Sequence, residues 1–456
     1  MNFRLAAAIC ALVMASSLAS VAQRGHTSKR PEVDPRITAA LKEVSAARVR
    51  ATVEKLVSFG NRSTLSANDA ALAAAGKGVV AVRDWIRSEL ERYSKECGGC
   101  LEVQFDTFTQ EPADRVPTPT EISNVYAVLR GTTDPDRIYI VSGHYDSRNS
   151  DPLDIHHPAP GANDDASGTA VSLECTRVLS KLKFPATIIF LAVSGEEQGL
   201  YGSRHFAQMA KEKGWKIDAV LNNDIVGGDR NSGQDHNIVR VFSEGIPAAA
   251  TEREVRLLRA LGGENDSPSR QLARYIRETA AKYLPGPFGP KLVFRRDRYL
   301  RGGDHTSFNE AGFAAVRFTE YREDYRHQHQ NSRTENGIEY GDLPKFVDFE
   351  YLANVARLNA AVLAALASAP ASPGKVRLLT KDLENDSTLE WEAAPGATSY
   401  EVLWRPTTAA EWENVVPVGN VTRATLPRSK DNVVFAVRSA AARGHRSLPV
   451  VPQPER

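Results

Sequence analysis

The run Ala186 to Ser194 is apolar almost throughout, and it constrains the fold more than any other segment. A continuous apolar run of that length is expected of a strand buried on both faces, which requires a covering layer on each side of its sheet. Ser123 to Leu129 and Arg137 to His144 are two more apolar, β-branched runs. Strands are also expected at 217–224 and 314–320, and Leu101 to Phe108 alternates like a half-buried strand. Helical periodicity occupies 33–59, 66–96, 166–182, 202–213, 267–283 and 348–367. Strands alternating with helices predict an α/β three-layer sandwich with a mostly parallel central sheet, over residues 23–368.

Residues 369–374, Ala-Pro-Ala-Ser-Pro-Gly, read as a linker. Beyond it the pattern changes to short alternating strands, among them Thr388–Trp391, Ser399–Trp404 and Val433–Arg438. Residues 375–456 therefore predict a small all-β sandwich. The pattern resembles a fibronectin type III domain, with Trp391, Tyr400 and Leu426 as packing positions. The tail carries no catalytic set, so cutting the chain after Ser372 is expected to leave turnover mostly intact.

Composition excludes more than it identifies. The formal charge is +1, from 57 basic and 56 acidic residues. Neither nucleic acid nor an anionic membrane is indicated as the main partner. Arg4, the apolar stretch Leu5 to Ala15 and the small residues Ser20-Val21-Ala22 form a secretory signal pattern over 1–22, with cleavage before Gln23. The expected location is therefore secreted or periplasmic, with no stable membrane insertion, and no later stretch reads as a membrane span. Cys97 and Cys100, in Cys-Gly-Gly-Cys, are expected to form a local disulfide in an oxidising compartment. Cys175 falls in an apolar helical stretch and is expected to be buried and inert.

In open α/β sheets, functional side chains gather beyond the carboxyl ends of the strands. Here the run to Gly143 ends in His144-Tyr145-Asp146-Ser147, and the run to Ser194 ends in Gly195-Glu196-Glu197. The run to Asn223 ends in Asp224, and Gly161-Ala162-Asn163-Asp164-Asp165-Ala166-Ser167-Gly168 is a turn opening a helix. A late run, Tyr325-Arg326-His327-Gln328-His329, adds imidazoles. Taken singly, each has an ordinary explanation: a surface histidine, a helix cap, solvated glutamates. Together, carboxylates at the ends of buried strands would repel one another without a cation, and imidazole with carboxylate is a suitable zinc set.

As an ordered set, His-x-Asp, Gly-Ala-Asn-Asp-Asp-Ala-Ser-Gly, Gly-Glu-Glu-x-Gly-Leu-x-Gly-Ser, Asn-x-Asp and a late histidine resemble the M28 family of zinc exopeptidases, from about Phe59 to Leu366. The resemblance implies two zinc ions per chain. His144 and Asp224 would bind one, Glu197 and His329 the other, and Asp164 would bridge them, often with a cis peptide after it. Asp146 would orient the His144 ring, and Glu196 would be the general base. The family's last histidine is usually followed by an aspartate where this chain has Arg333, and His327 competes with His329 for the role. The spacing of the following Gln330 and Thr334 favours His329. Tyr325 is a candidate for oxyanion stabilisation, and Asp304, in Gly-Gly-Asp-His, borders the pocket as a supporting residue.

The function implied is an exopeptidase acting on peptides or proteins with a free N-terminus. Three alternatives remain open. A carboxypeptidase on the same fold would need arginines for a terminal carboxylate, and Arg298, Arg301 and Arg322 are available. A cyclase of the glutaminyl type would use a single zinc. A non-catalytic binding protein would keep the fold without the metals.

Overall fold

The computed structural model describes residues 33–230, 233–381 and 383–455. The expected signal segment 1–22, with Cys10, lies outside them.

The run Ala186–Val193 is a strand buried at every position. It belongs to an eight-stranded sheet built from β1 (Leu101–Gln110), β2 (Thr120–Leu129), β3 (Asp134–His144), β4 (Ala186–Val193), β5 (Lys216–Asn223), β6 (Ile238–Ser243), β7 (Gly289–Val293) and β8 (Ala315–Glu320). The strand order is β1-β2-β4-β3-β5-β8-β6-β7. The centre, β4-β3-β5-β8, is parallel. The flanks are antiparallel at β1-β2, β2-β4 and β8-β6, so the sheet is mixed around a parallel core.

Among the described residues ten α-helices accompany the sheet: α1 (Pro35–Lys42), α2 (Ala46–Val57), α3 (Ala70–Ala74), α4 (Gly78–Glu96), α5 (Ala166–Leu179), α6 (Tyr201–Glu212), α7 (Glu252–Leu261), α8 (Pro268–Tyr283), α9 (His305–Ala311) and α10 (Phe349–Ser368). Successive side chains of β4 point to opposite faces, as strand geometry dictates. Ile188, Phe190 and Ala192 pack with α1, α2, α4, α5, α8 and α10. Ile189, Leu191 and Val193 pack with α6 and α9, where Phe206 meets Tyr126 and Trp215 edge-on. Those are the two covering layers that the apolar run requires.

Two long helical patterns are interrupted. The first splits into α1 and α2 at Glu43-Val44-Ser45, where the freed Ser45 amide donates to buried Glu174 (2.8 Å). The second breaks before α4, where Gly76 and Gly78 take left-handed φ angles of +67° and +74°. Helix α10 is long and apolar enough to cross a membrane, yet 83% of its most apolar window is buried within the protein. Its first turn is capped by Asp348, which accepts from the Glu350 and Tyr351 amides. Cys97 and Cys100 are disulfide-bonded, and Cys175 is buried and free.

The tail forms two small sheets from β11 (Gly374–Leu379), β12 (Ser387–Glu392), β13 (Ser399–Pro406), β14 (Asn414–Gly419), β15 (Arg423–Leu426), β16 (Val433–Ala440) and β17 (Gln453–Glu455), numbering after a short hairpin of β9 (Arg333–Glu335) and β10 (Ile338–Tyr340). The orders are β15-β12-β11-β17 and β14-β13-β16, with β17 parallel to β11. Trp391, Tyr400 and Leu426 lie in the core between them. The described residues cluster as one compact unit, so the tail is not a loosely tethered module. The stretch expected to be a linker is tied down: Ala371 donates to Pro395 O, and Ser372 Oγ to Leu448 O.

What joins the two parts is a polar seam along α8. Asp266, just before α8, accepts two hydrogen bonds from Arg405 (2.7 and 2.8 Å) and one from Arg274 (3.3 Å). All three residues are buried. Trp412 Nε1 donates to Gln271 (3.0 Å), and Arg438 bridges Glu278 (2.7 Å) and Glu401 (2.8 Å).

Candidate active site

Because β4, β3, β5 and β8 are adjacent and parallel, their carboxyl ends share one edge of the sheet. His144 ends β3, Glu196 and Glu197 follow β4, Asp224 follows β5, and the loop carrying His327 and His329 follows β8. Asp164 stands in the turn before α5. That helix begins hard against the strand ends. A Cβ on Gly143 would lie 2.2 Å from the Gly168 carbonyl carbon, and one on Gly168 would lie 2.1 Å from Asn223 O. Glycine at both positions is what allows the approach.

Both readings of the Asn-Asp-Asp-Ala-Ser-Gly run hold, on different residues. Asp165 caps α5 through the Gly168 amide (2.9 Å) and also accepts from the His144 amide (3.0 Å). Asp164, joined to Asp165 by a cis peptide bond, faces the cluster instead. Its Oδ1 lies 3.2 Å from His144 Nε2, and its Oδ2 lies 2.8 Å from His329 Nε2. Asp224 Oδ1 is 4.0 Å from His144 Nε2, and both Glu197 carboxylate oxygens are 3.1 Å from His329 Nε2. One carboxylate thus stands between two imidazoles, each with its own further acid. Donor atoms of His144, Glu196 and Asp224 lie within 4.8 Å of one another, as do those of Asp164, Glu197 and His329.

These residues fit a metal centre. His144 Nε2 is buried and makes no hydrogen bond, although two carboxylates surround it. Its Nδ1 faces the Asp146 carbonyl (3.1 Å) and carboxylate (3.4 Å), so the proton belongs on Nδ1 and the Nε2 lone pair is free. Asp146 is itself fixed by Thr64 Oγ1 (2.9 Å) and the Glu197 amide (3.2 Å). Imidazole and carboxylate at such spacing are zinc-type donors.

Glu196 lies beside His144 and Asp224. Burial, and then the neighbouring carboxylates of Asp224, Glu197 and Asp304, push it well above the usual carboxylate range, against the pull of His144. Asp304 is fully buried with neither oxygen hydrogen-bonded, and burial pushes it up to about 7. Tyr325 stands away from the cluster, 63% exposed, with its hydroxyl 3.5 Å from Arg301. His327 is also apart. It pairs with Asp229 and stacks on Phe346, and nearby Asp324 is paired with Arg326. His305 donates from Nε2 to the Arg296 carbonyl (2.9 Å) and does not join the cluster.

Several residues of the site escaped the sequence reading. Asp342 accepts from the Asn163 and Asp164 amides (2.7–2.9 Å) and so holds the turn that presents Asp164. Arg62 is fully buried and donates to the carbonyls of Tyr145, Pro160 and Gly161, pinning both loops. Arg317, also fully buried, pairs with Asp224 (2.9 Å) and Asp297 (3.3 Å). Arg148 contacts Glu197 (3.1 Å) and His329 Nδ1 (2.8 Å). Two of these had a signal: Arg317 interrupts an apolar strand, and Arg148 lies two residues beyond the His-x-Asp run.

An α/β sheet with this donor set at the carboxyl ends of its parallel strands defines a hydrolase of the metal-dependent kind. The model of Peptidase family M28 matches residues 124–349. A probable zinc metalloprotease of Pyrenophora teres f. teres is 46% identical over 428 residues, covering 92% of this chain and 87% of that protein. One from Leptosphaeria maculans is 45% identical over 432 residues, covering 93% and 98%. Among solved structures, the Legionella pneumophila LapA aminopeptidase superposes with a TM-score of 0.51 at 22% identity, over 75% of each chain. LapB from the same organism gives 0.51 at 19% identity, over 75% of this chain and 78% of that one. The chain belongs to peptidase family M28.

Proposed function

We propose that the protein is a secreted two-zinc exopeptidase that removes residues from the N-terminus of peptides. The observation that carries this reading is the position of Asp164 between two imidazole–carboxylate groups. His144 and Asp224 would hold one zinc, Glu197 and His329 the other, and Asp164 both. Two zinc ions, when bound, polarise the scissile carbonyl and lower the pKa of a shared water toward neutrality. Glu196, placed beside His144 and Asp224, takes the proton of the attacking water and returns it to the leaving amine. Asp146 keeps the His144 ring in the ligating tautomer.

The names of the fungal relatives support zinc. The surplus of buried carboxylate, including unpaired Asp304, favours an α-ammonium group over a terminal carboxylate as the substrate's charged end. Arg298 and Arg301, which a carboxypeptidase would need, are both committed to Glu323. The Cys97–Cys100 disulfide supports an oxidising compartment. The tail is read as a fibronectin type III-like sandwich.

A panel of aminoacyl-p-nitroanilides tests the reaction. Release from free-amine substrates, lost with chelator, restored by zinc and absent when the amine is acetylated, is the expected result. Cleavage of acetylated substrates, or turnover indifferent to chelation, would overturn it. A mature N-terminus at Gln23 on secreted protein would bear out the location, and an intact residue 1 would contradict it.

A further inference from the structure

The two imidazoles of the centre are held in opposite ways. His144 Nδ1 faces acceptors, the Asp146 carbonyl and carboxylate, so its proton sits on Nδ1 and Nε2 is ready to ligate. His329 Nδ1 faces Arg148 Nη2 at 2.8 Å. A guanidinium has five N–H donors and no acceptor, so this contact uses the Nδ1 lone pair and leaves the proton on Nε2. Nε2 is the atom that points at Asp164 Oδ2 (2.8 Å) and Glu197 (3.1 Å). A histidine ligating through Nε2 carries its proton on Nδ1, where it must donate. The Arg148 contact and ligation by His329 therefore exclude each other. The same guanidinium also holds Glu197 through Nε at 3.1 Å.

Arg148 thus engages the two residues that are peculiar to one half of the centre. Its side chain is 16% exposed, and its neighbour Asn149 is fixed through Asp154 and the Asp151 amide. The Arg148 side chain therefore touches solvent beside a neighbour whose side chain is held.

We propose that Arg148 is an internal cation that competes with the second zinc for Glu197 and His329. It makes the two half-sites unequal: a tight one at His144 and Asp224 and a weaker, exchangeable one at Glu197 and His329. The proposal rests on the two-zinc reading above.

The test is zinc titration of metal-stripped full-length mature protein, read by calorimetry and by competition with a chromophoric chelator. Wild type should bind two zinc ions in separate steps. Arg148→Ala and Arg148→Met should tighten the weaker step by about tenfold or more, the scale on which residues behind the ligands tune metal affinity. The tighter step should not move, and Arg148→Lys should stay near wild type. If Arg148→Ala does not fold, Arg148→Met, which keeps the stem packing, decides the question. Equal steps in wild type, or constants unmoved by both substitutions, would overturn the proposal and leave two-zinc binding standing. One zinc per chain at saturation in all forms would overturn the two-zinc reading, and the proposal with it.

Discussion

Two regions of this protein bury many charged groups, and they do so on opposite terms. In the seam along α8, each buried carboxylate has an arginine of its own: Asp266 with Arg405 and Arg274, Glu401 with Arg438 and Arg446. At the strand ends, Asp146, Asp164, Glu197, Asp224 and Asp304 are buried together, with Glu196 half-buried among them, and the charges do not close. His144 Nε2, one oxygen of Asp146 and both oxygens of Asp304 make no hydrogen bond. A buried charge without a partner is expensive, so a fold keeps it only where something outside the chain completes it. The seam is complete within the protein and holds parts together. The donor set of the centre suits a cation.

On that contrast, changes at the centre abolish turnover and spare the fold, and changes in the seam do the reverse. The largest effect belongs to Glu196→Gln. Its kcat should fall by about a hundredfold or more, the contribution of a positioned general base, with zinc content and Tm unchanged. Loss of zinc in that variant would make Glu196 a ligand and move the base elsewhere.

Next comes Asp266→Ala, which strands Arg405 and Arg274, 2% and 4% exposed, without their acid. Breaking a buried pair from one side costs about 3–5 kcal/mol. At about 2 cal/mol/K of unfolding entropy per residue, that lowers the Tm of a chain this size by roughly 3–6 °C. Turnover per folded molecule, measured well below the transition, should hold. Truncation after Ser372 removes Arg405, Trp412 and Arg438 at once, so the expectation that the tail is dispensable gives way. The shortened chain should be aggregated or inactive, and a soluble, fully active product would break the comparison.

How much of this could be read in advance depends on the range of the interactions. The apolar run at β4 announced its burial locally, and the residues beyond β3, β4 and β5 stood out as polar groups ending apolar strands. The region 225–313 was harder. Strand β6 is edged with intermediate burial, and β7 is five residues opening on Gly289-Pro290, so neither looks like the buried strands beside it. The expected mostly parallel sheet is present, with β4-β3-β5-β8 and β6-β7 parallel, but strand direction is silent in a hydrophobic pattern, so the antiparallel pairs β1-β2, β2-β4 and β8-β6 carried no signal. Arg148 and His329 are 181 residues apart, and Asp266 and Arg405 are 139 apart. No spacing within the chain encodes such pairs. The motif run supplied candidate ligands but not the arginine set against one of them, nor the acid, Asp342, that holds Asp164 in place.

The smallest effect tests whether burial, rather than charge, gives the seam its strength. Arg277 and Glu411 also pair across α8 and the sandwich, at 3.3 Å, but their side chains are 56% and 37% exposed. Water screens such a pair, and ordering two long side chains offsets part of what attraction remains. Arg277→Ala, Glu411→Ala and the double variant should each change stability by no more than about 0.5 kcal/mol, with a coupling energy of similar or smaller size. The measurement is denaturant unfolding of the full chain at low and moderate salt. A coupling as large as that lost in Asp266→Ala would mean that the count of charges joining the two parts, and not their removal from water, is what binds the tail to the peptidase.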